Sequence, residues 1–403
     1  MTGAAGPAAR VAGAPGISGA SGTSGAFGAA GASGTTGTTG TTGTRSTPAA
    51  LLVTLLGTLR EPVVRDLAWL LLSADLLQAQ PPVGMLASPF DTPQEAGATI
   101  DWLHALDRDP ADLQRDLTAT RITRLGRYAE RLLGWFLEHG PAARLVAASV
   151  PLRSAGITLG ECDFLVRTQQ GARLHWELAV KCYLHAGEGH VRSITQSVTQ
   201  SSIQSGIQSG IQSSIQSGTR SSTQSNTPPT ARLADYVGPN LKDRFDLKLA
   251  HVLNHQLPLS ARDEFASLGY AGPWTPQMYI KGWLFYRTGE TPAEPAELDP
   301  SHGRGWWVTR SDWPDFAAAH AQTWRVLPRL EWLAPRRHER GEAEGVGIAF
   351  ADARTLAEQT SHQHGPTMVA AFADDAVGNL IERSRGFIVP DEWPAHAQAY
   401  AQQ

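Results

Sequence analysis

At Gly140-Pro141 the periodicity of this chain changes, and that change limits its architecture more than any other feature. Before it, Leu125, Ala129, Leu132 and Phe136 fall on one stripe of a helix predicted over 124–139, which Gly140-Pro141 stops. After it, residues 143–153, 157–167 and 173–184 are rich in Val, Leu and Ile and punctuated by Gly156 and Gly171. That is the pattern of three strands in a meander. A helix predicted over 240–256, with Leu241, Phe245, Leu249 and Val252 at helical spacing, precedes a strand predicted over 277–287. From Arg124 the order is α-β-β-β-α-β, within a mixed α/β (α+β) domain.

The part before Arg124 reads as mainly helical. Residues 51–77 make two Leu-rich helices broken at Arg60-Glu61-Pro62, with Pro62 in a first-turn position and Asp66 and Asp75 on surface faces. Shorter helical patterns follow at 98–106 and 110–119. Two stretches have too little apolar area to offset chain entropy and are expected to be disordered. One is the Gly/Ala/Ser/Thr tail, 1–48. The other is the insert 188–229, where Gln196, Gln200, Gln204, Gln208, Gln212, Gln216 and Gln224 recur in register. Its recurring Ile203, Ile207, Ile211 and Ile215 fit a partner-binding repeat, but a tandem repeat tolerated in a surface loop explains it more simply, since long loops add little closure entropy. The expected organisation is thus a tail, a helical part with the first half of a core (49–187), the insert, and the second half of the core with a Trp-rich C-terminal region (230–403).

Charge gives little guidance. With 34 Lys and Arg against 38 Asp and Glu, the net charge of −4 supplies no global attraction to polyanions, so a nucleic acid would need a local patch. Cys162 and Cys182 cannot make a disulfide framework, and no Cys/His cluster has zinc spacing, which fits a reducing, cytoplasmic location. The tail lacks the apolar segment of a secretory signal, and the apolar run 49–59 is too short to span a bilayer and reads as core.

Alternation puts Glu161 and Asp163 on one face of the second strand of the meander, with Leu159, Leu165 and Arg167. On the third, His175, Glu177, Ala179, Lys181 and Tyr183 share a face. An even pairing register brings these sets to the same side of the sheet, whereas an odd one would bury charges without partners. Three carboxylates and a lysine then converge, the combination divalent-metal phosphoryl chemistry uses. Carboxylate oxygens hold Mg²⁺ or Mn²⁺, the metal lowers the pKa of a bound water, and an ammonium orients that water. A half-exposed sheet face carrying cross-strand ion pairs is the alternative.

Other residues have weaker claims. Glu130 lies at the border of the apolar stripe of its helix and is a candidate to reach over the sheet as a further metal ligand, while Arg124, Arg127 and Arg131 on its solvent flank are candidates to guide a phosphate backbone. Lys242, Arg244 and Lys248 are placed to touch phosphates or simply to solvate a helix face. Lys281 is expected to enter the site or to snorkel at an edge. His175 and His185 read as structural strand histidines, and the C-terminal tryptophans, set among Leu and Pro, as core. No GxSxG, P-loop or dinucleotide fingerprint occurs.

The run of helix with Glu130, strand, Glu161-Cys162-Asp163-Phe164, then His175-Trp176-Glu177 through Lys181 resembles the core of the PD-(D/E)XK nuclease-like superfamily. The resemblance implies a restriction-endonuclease-like core, with Asp163 and Glu177 as metal ligands, Glu161 and Glu130 assisting, Lys181 positioning the nucleophilic water, and a nucleic acid as substrate. Three residues separate Glu177 from Lys181 where the superfamily usually has one, and Ala179 occupies the usual acid position. A degenerate site on a non-catalytic binding module is therefore a second expectation. Longer strings, RDLAWLL (65–71), VGPNLKDRFDLK (237–248), LNHQLP (253–258), KGWLFY (281–286), GWWV (305–308) and LEWLAP (330–335), resemble a bacterial family described as domain of unknown function 1853. That resemblance implies no activity.

Overall fold

Pro62 opens a helix where its missing N–H has no partner to lose. In the computed structural model, which describes residues 48–187, 231–270, 272–339 and 349–403, α1 (Pro48–Thr58) and α2 (Pro62–Leu72) flank the predicted break. These residues belong to one unit, Ser46–Gln403; the insert and all but the last residue of the tail, expected to be disordered, lie outside the described residues. No helix of the described residues is long and apolar enough to cross a membrane. The run 49–59 forms most of α1 and the residue after it, with Leu52, Leu55 and Leu59 in the core.

Helix α2 ends before 77. Leu76 leaves it to bond the Ile280 carbonyl. Asp66 and Asp75, expected on the surface, turn inward instead: Asp66 is 2% exposed and clamped by Arg336, and Asp75 meets Lys281 at 3.1 Å. Their partners lie 270 and 206 residues away, so local periodicity carried no sign of them. Lys281 is accordingly an interior group, donating also to the Ser73 carbonyl.

Helices α3 (Pro93–Arg108) and α4 (Ala111–Thr118) lead to α5 (Leu125–His139), which presents Leu125, Ala129, Leu132 and Phe136 to the core as its stripe requires. Those side chains pack on α2 and on one face of the sheet, through Phe164, Trp176, Leu178 and Val180. Each large apolar side chain buried there contributes about 1.5–3 kcal/mol.

The meander forms as predicted, with β1 (Arg144–Ser154), β2 (Ile157–Arg167) and β3 (Arg173–His185) pairing antiparallel. Its turns hold Gly156 at φ 82° and Gly171 at φ 90°, conformations that favour glycine. The chain returns through β4 (Tyr236–Val237) and α6 (Phe245–His251) to β5 (Thr275–Arg287), which lies parallel to β3. The predicted helix 240–256 is shorter than its periodicity suggested. Beyond α6 the chain widens into a π-helical turn, Val252–Gln256, then tightens into a 3₁₀ turn, Leu257–Ala261, ahead of the short α7 (Asp263–Ser267).

The C-terminal third continues the same sheet. Strands β6 (Gly303–Thr309), β7 (Thr323–Val326), β8 (Arg337–His338), β9 (Thr367–Asp374) and β10 (Leu380–Val389) extend it to the order β1-β2-β3-β5-β6-β10-β9-β7, with β4 on β3 and β8 on β10. Pairing is parallel from β3 through β10 and antiparallel at both flanks. Helices α8 (Trp313–His320), α9 (Ala353–Ser361) and α10 (Trp393–Ala401) cover it. Trp313 and Trp324 pack in one cluster and Trp307 meets Trp393 in another, so these tryptophans are core. The result is a mixed α/β fold built on one large sheet.

Candidate active site

The register of β2 on β3 is even: Leu165 faces His175, which sets Asp163 opposite Glu177. The ladder stops there. Beyond the pair Phe164–Trp176 the strands part, and side chains take over the hydrogen bonds. The Leu178 N–H donates to Asp163 Oδ2 at 2.9 Å, and the Asp163 N–H donates to Glu177 Oε1 at 3.3 Å. Strict alternation fails at the same place. Cys162 and Leu165, three apart on β2, lie in one core cluster, as do Ala147 and Val150 on β1. A spacing of three means that the face reverses once within each strand. On β1 the reversal contains Ser149, at the unusual φ of 51°.

The reversal sends neighbouring residues to different surroundings. Asp163 lines a cleft of about 470 Å³ beneath α5, shared with Glu130, Arg124, Arg127 and Arg131. Glu177 is buried among the turns that follow α6. Gln256 Nε2 donates to Glu177 Oε2 at 2.6 Å, and Lys248 Nζ donates to Gln256 Oε1 at 2.8 Å. His175 Nε2 lies 2.7 Å from Glu177 Oε1. The π-helical turn supplies this arrangement, because it brings Gln256 into contact with Glu177 and Lys248 together.

Electrostatics follow from burial. Loss of water pushes the Asp163 carboxyl up to about 8, and the adjacent Glu177 charge adds to the rise. Burial likewise pushes Glu177 up to about 7, opposed by its bonds from Asp163 and Gln256 and by the Lys248 charge. Lys248 is shifted down, by desolvation first and then by Lys181. The His175 ring is pushed down to about 4 and the Cys162 thiol up to about 12, both chiefly by burial.

The other residues singled out in the sequence divide. Glu130, which lines the cleft, accepts from Arg127 at 2.7 Å, and Arg127 also approaches Glu161, outside the lining, at 3.8 Å, so the two acids share a guanidinium. Arg131 is held by Asp116 at 2.6 Å. Lys242 is exposed and does not line this cleft. Lys181 keeps the face parity of Glu177 but sits about 13 Å further along β3 at 3.3 Å per residue. It is bonded to Asp243 and borders a second cleft with Asn240 and Arg329. The ammonium tied to the Glu177 carboxyl, through Gln256, is that of Lys248, for which the sequence suggests only a phosphate contact or a solvated helix face. Gln256 and Ser260 were missed altogether, since a polar residue beyond the last clear helical turn carries no local signal.

Comparison with known proteins gives one match. The model of a protein family described as domain of unknown function (DUF1853) matches residues 65–198 and 220–389. No curated protein and no solved structure matches the chain.

Proposed function

We infer that this chain, which belongs to the DUF1853 family, is a divalent-metal-dependent phosphodiesterase acting on nucleic acid. One observation carries the reading: where the ladder opens, the Asp163 amide bonds the Glu177 carboxyl of the adjacent strand, both acids are raised by burial, and Asp163 lines a cleft that also presents three arginines. With the two-residue β4 and the short α7 set aside, the order α5-β1-β2-β3-α6-β5, with β3 and β5 parallel, fits the core of the PD-(D/E)XK nuclease-like superfamily.

The residues suit a hard divalent cation. Among the described residues no guanidinium bonds Asp163 or Glu177, and the Lys248 charge only partly opposes the rise that burial causes, so a bound cation would stabilise the pair. Asp163 and Glu177 would hold the ion, with Glu161 and Glu130 at its margin. Mg²⁺ or Mn²⁺ there would polarise a phosphate and lower the pKa of a bound water.

The chain's own groups divide the remaining work. Arg124 and Arg127 attract the phosphate backbone to the cleft. The Leu178 amide fixes one Asp163 oxygen, and Gln256 fixes the Glu177 carboxyl. Lys248, its pKa lowered, is the ammonium nearest this network and the group that moves or holds a proton beside it. This gives Lys248 the role that the superfamily resemblance assigned to Lys181.

Purified protein incubated with Mg²⁺ or Mn²⁺ and single- or double-stranded DNA or RNA is expected to cleave one of them, and Asp163→Asn to abolish cleavage. Cleavage unchanged in both Asp163→Asn and Glu177→Gln would remove the site from consideration. A second reading, a non-catalytic binding module on a degenerate nuclease fold, is favoured by the tie between Lys181 and Asp243. It predicts nucleic-acid retention without cleavage and without saturable, Asp163-dependent Mn²⁺ binding.

A further inference from the structure

Glu177 has another set of neighbours, on the side of β2 opposite Asp163. Cys162, His175 and Glu177 each offer one donor atom, and the three atoms lie within 4.8 Å of one another. All three residues are at most 1% exposed. Cys162 is laddered to Val150 on β1, and His175 and Glu177, separated by a single residue, to Pro276 and Met278 on β5, so their backbones are held in place although β2 and β3 part between them.

The imidazole lies between two partners. Nδ1 is 2.9 Å from Ser260 Oγ on the 3₁₀ turn, and Nε2 is 2.7 Å from Glu177 Oε1. A hydroxyl either donates to Nδ1 or accepts from it, so Nε2 either donates to the Glu177 carboxyl or turns a lone pair toward it. In the second tautomer something positive, a proton or a metal ion, belongs between Nε2 and Oε1, and Ser260 holds the far N–H as outer-shell partners do for metal-bound imidazole.

The donor set identifies the ion. Sulfur, nitrogen and one carboxylate oxygen suit a borderline-soft divalent transition metal, whereas Mg²⁺ and Ca²⁺ require oxygen alone. We propose that Cys162, His175 and Glu177 bind a transition-metal ion of the zinc class, at a site separate from the carboxylate cleft and sharing only Glu177 with it. On binding, the Cys162 thiol proton, together with any proton on Glu177, leaves to solvent, and sulfur, Nε2 and a Glu177 oxygen each donate a lone pair to the ion. The inference stands whether or not the protein cleaves nucleic acid.

Cobalt(II) added to the metal-free full chain tests it, through the thiolate-to-cobalt charge-transfer absorption. Saturation at one equivalent is expected, with loss of the band in Cys162→Ala, retention in Asp163→Asn and displacement by Zn²⁺. No thiolate band in the folded wild-type protein, or an equal band in Cys162→Ala, overturns the proposal. Should the variants fail to fold, X-ray absorption on zinc-loaded wild-type protein decides. One sulfur at about 2.3 Å beside nitrogen and oxygen is expected; a first shell without sulfur overturns it. These readouts are independent of cleavage, so loss of the phosphodiesterase reading would leave them intact.

Discussion

Two groups of charges in this protein are withdrawn from water, and they are partnered in opposite ways. Around β10, Arg385 grips Glu382 through Nε at 2.6 Å and through a terminal nitrogen at 2.9 Å, while the Arg336 amide bonds the same carboxylate at 2.7 Å. Arg336 also clamps both oxygens of Asp66, which receive the Ala334 amide and the Tyr128 hydroxyl as well. Burial pushes Asp66 up, but the same contact holds the Arg336 guanidinium charged. At the other group, Asp163 and Glu177 meet amides, an imidazole and each other, and the Lys248 ammonium reaches them only through Gln256. The first network is complete as folded. In the second no cation among the described residues bonds either carboxyl directly, which marks it as a place for something the chain does not itself supply.

Breaking the complete network has the largest expected effect. Arg385→Ala strands a buried carboxylate and is expected to cost about 3–5 kcal/mol of stability, measured by denaturant unfolding. A loss below about 1 kcal/mol would dissolve the contrast between the two regions.

The incomplete network is expected to show itself in pH dependence. Both carboxyls have folded pKa values, about 8 and about 7, above their ordinary 3.8 and 4.5. Their contribution to stability is therefore fully present below about pH 4 and lost as pH rises through 7 to 8. Metal-free protein should lose on the order of a few kcal/mol between pH 5 and 8 by the same linkage, and the Asp163→Asn, Glu177→Gln double variant should flatten that slope. A wild-type stability that is flat or rising across this window would contradict the assignment.

Two smaller effects sharpen the comparison. Lys248→Ala is expected to slow cleavage on the order of 10²-fold, as loss of a group acting on the transition state does, and Lys181→Ala much less. The reverse ranking would return the role to Lys181. Asp243→Asn, which breaks a partly exposed ion pair with side chains 29% and 33% exposed, should change stability by less than about 1 kcal/mol.

What could be read from the sequence depended on the range of the interactions involved. The meander was legible because Gly156 and Gly171 mark its turns and its strands alternate over short distances. The stripe of α5 was legible for the same reason; the even register that sets Asp163 opposite Glu177 followed instead from the cost of burying charges, yet Glu177 is buried at that register, with partners from the turns after α6. The face reversal at Asp163 was not, because the departure from alternation is visible only in what Cys162 and Leu165 touch. Glu177 meets Gln256 across 79 residues, and Lys181 meets Asp243 across 62. Neither separation leaves a periodic trace. The C-terminal third resisted reading because its Trp residues lie on strands and helices alike and its strands pair out of chain order, with β6 beside β5 and β10.

The hydrogen bond from Leu178 to Asp163 has a consequence of its own. An amide inside a sheet normally answers to a carbonyl on the next strand, and its exchange with deuterium reports the opening of that strand. Here one amide proton answers to an acid instead. Its exchange rate should follow the protonation and occupancy of Asp163, while the flanking ladder at Trp176 stays protected. The sheet thus carries a built-in gauge, readable at a single residue in solution, of whether its cleft is filled.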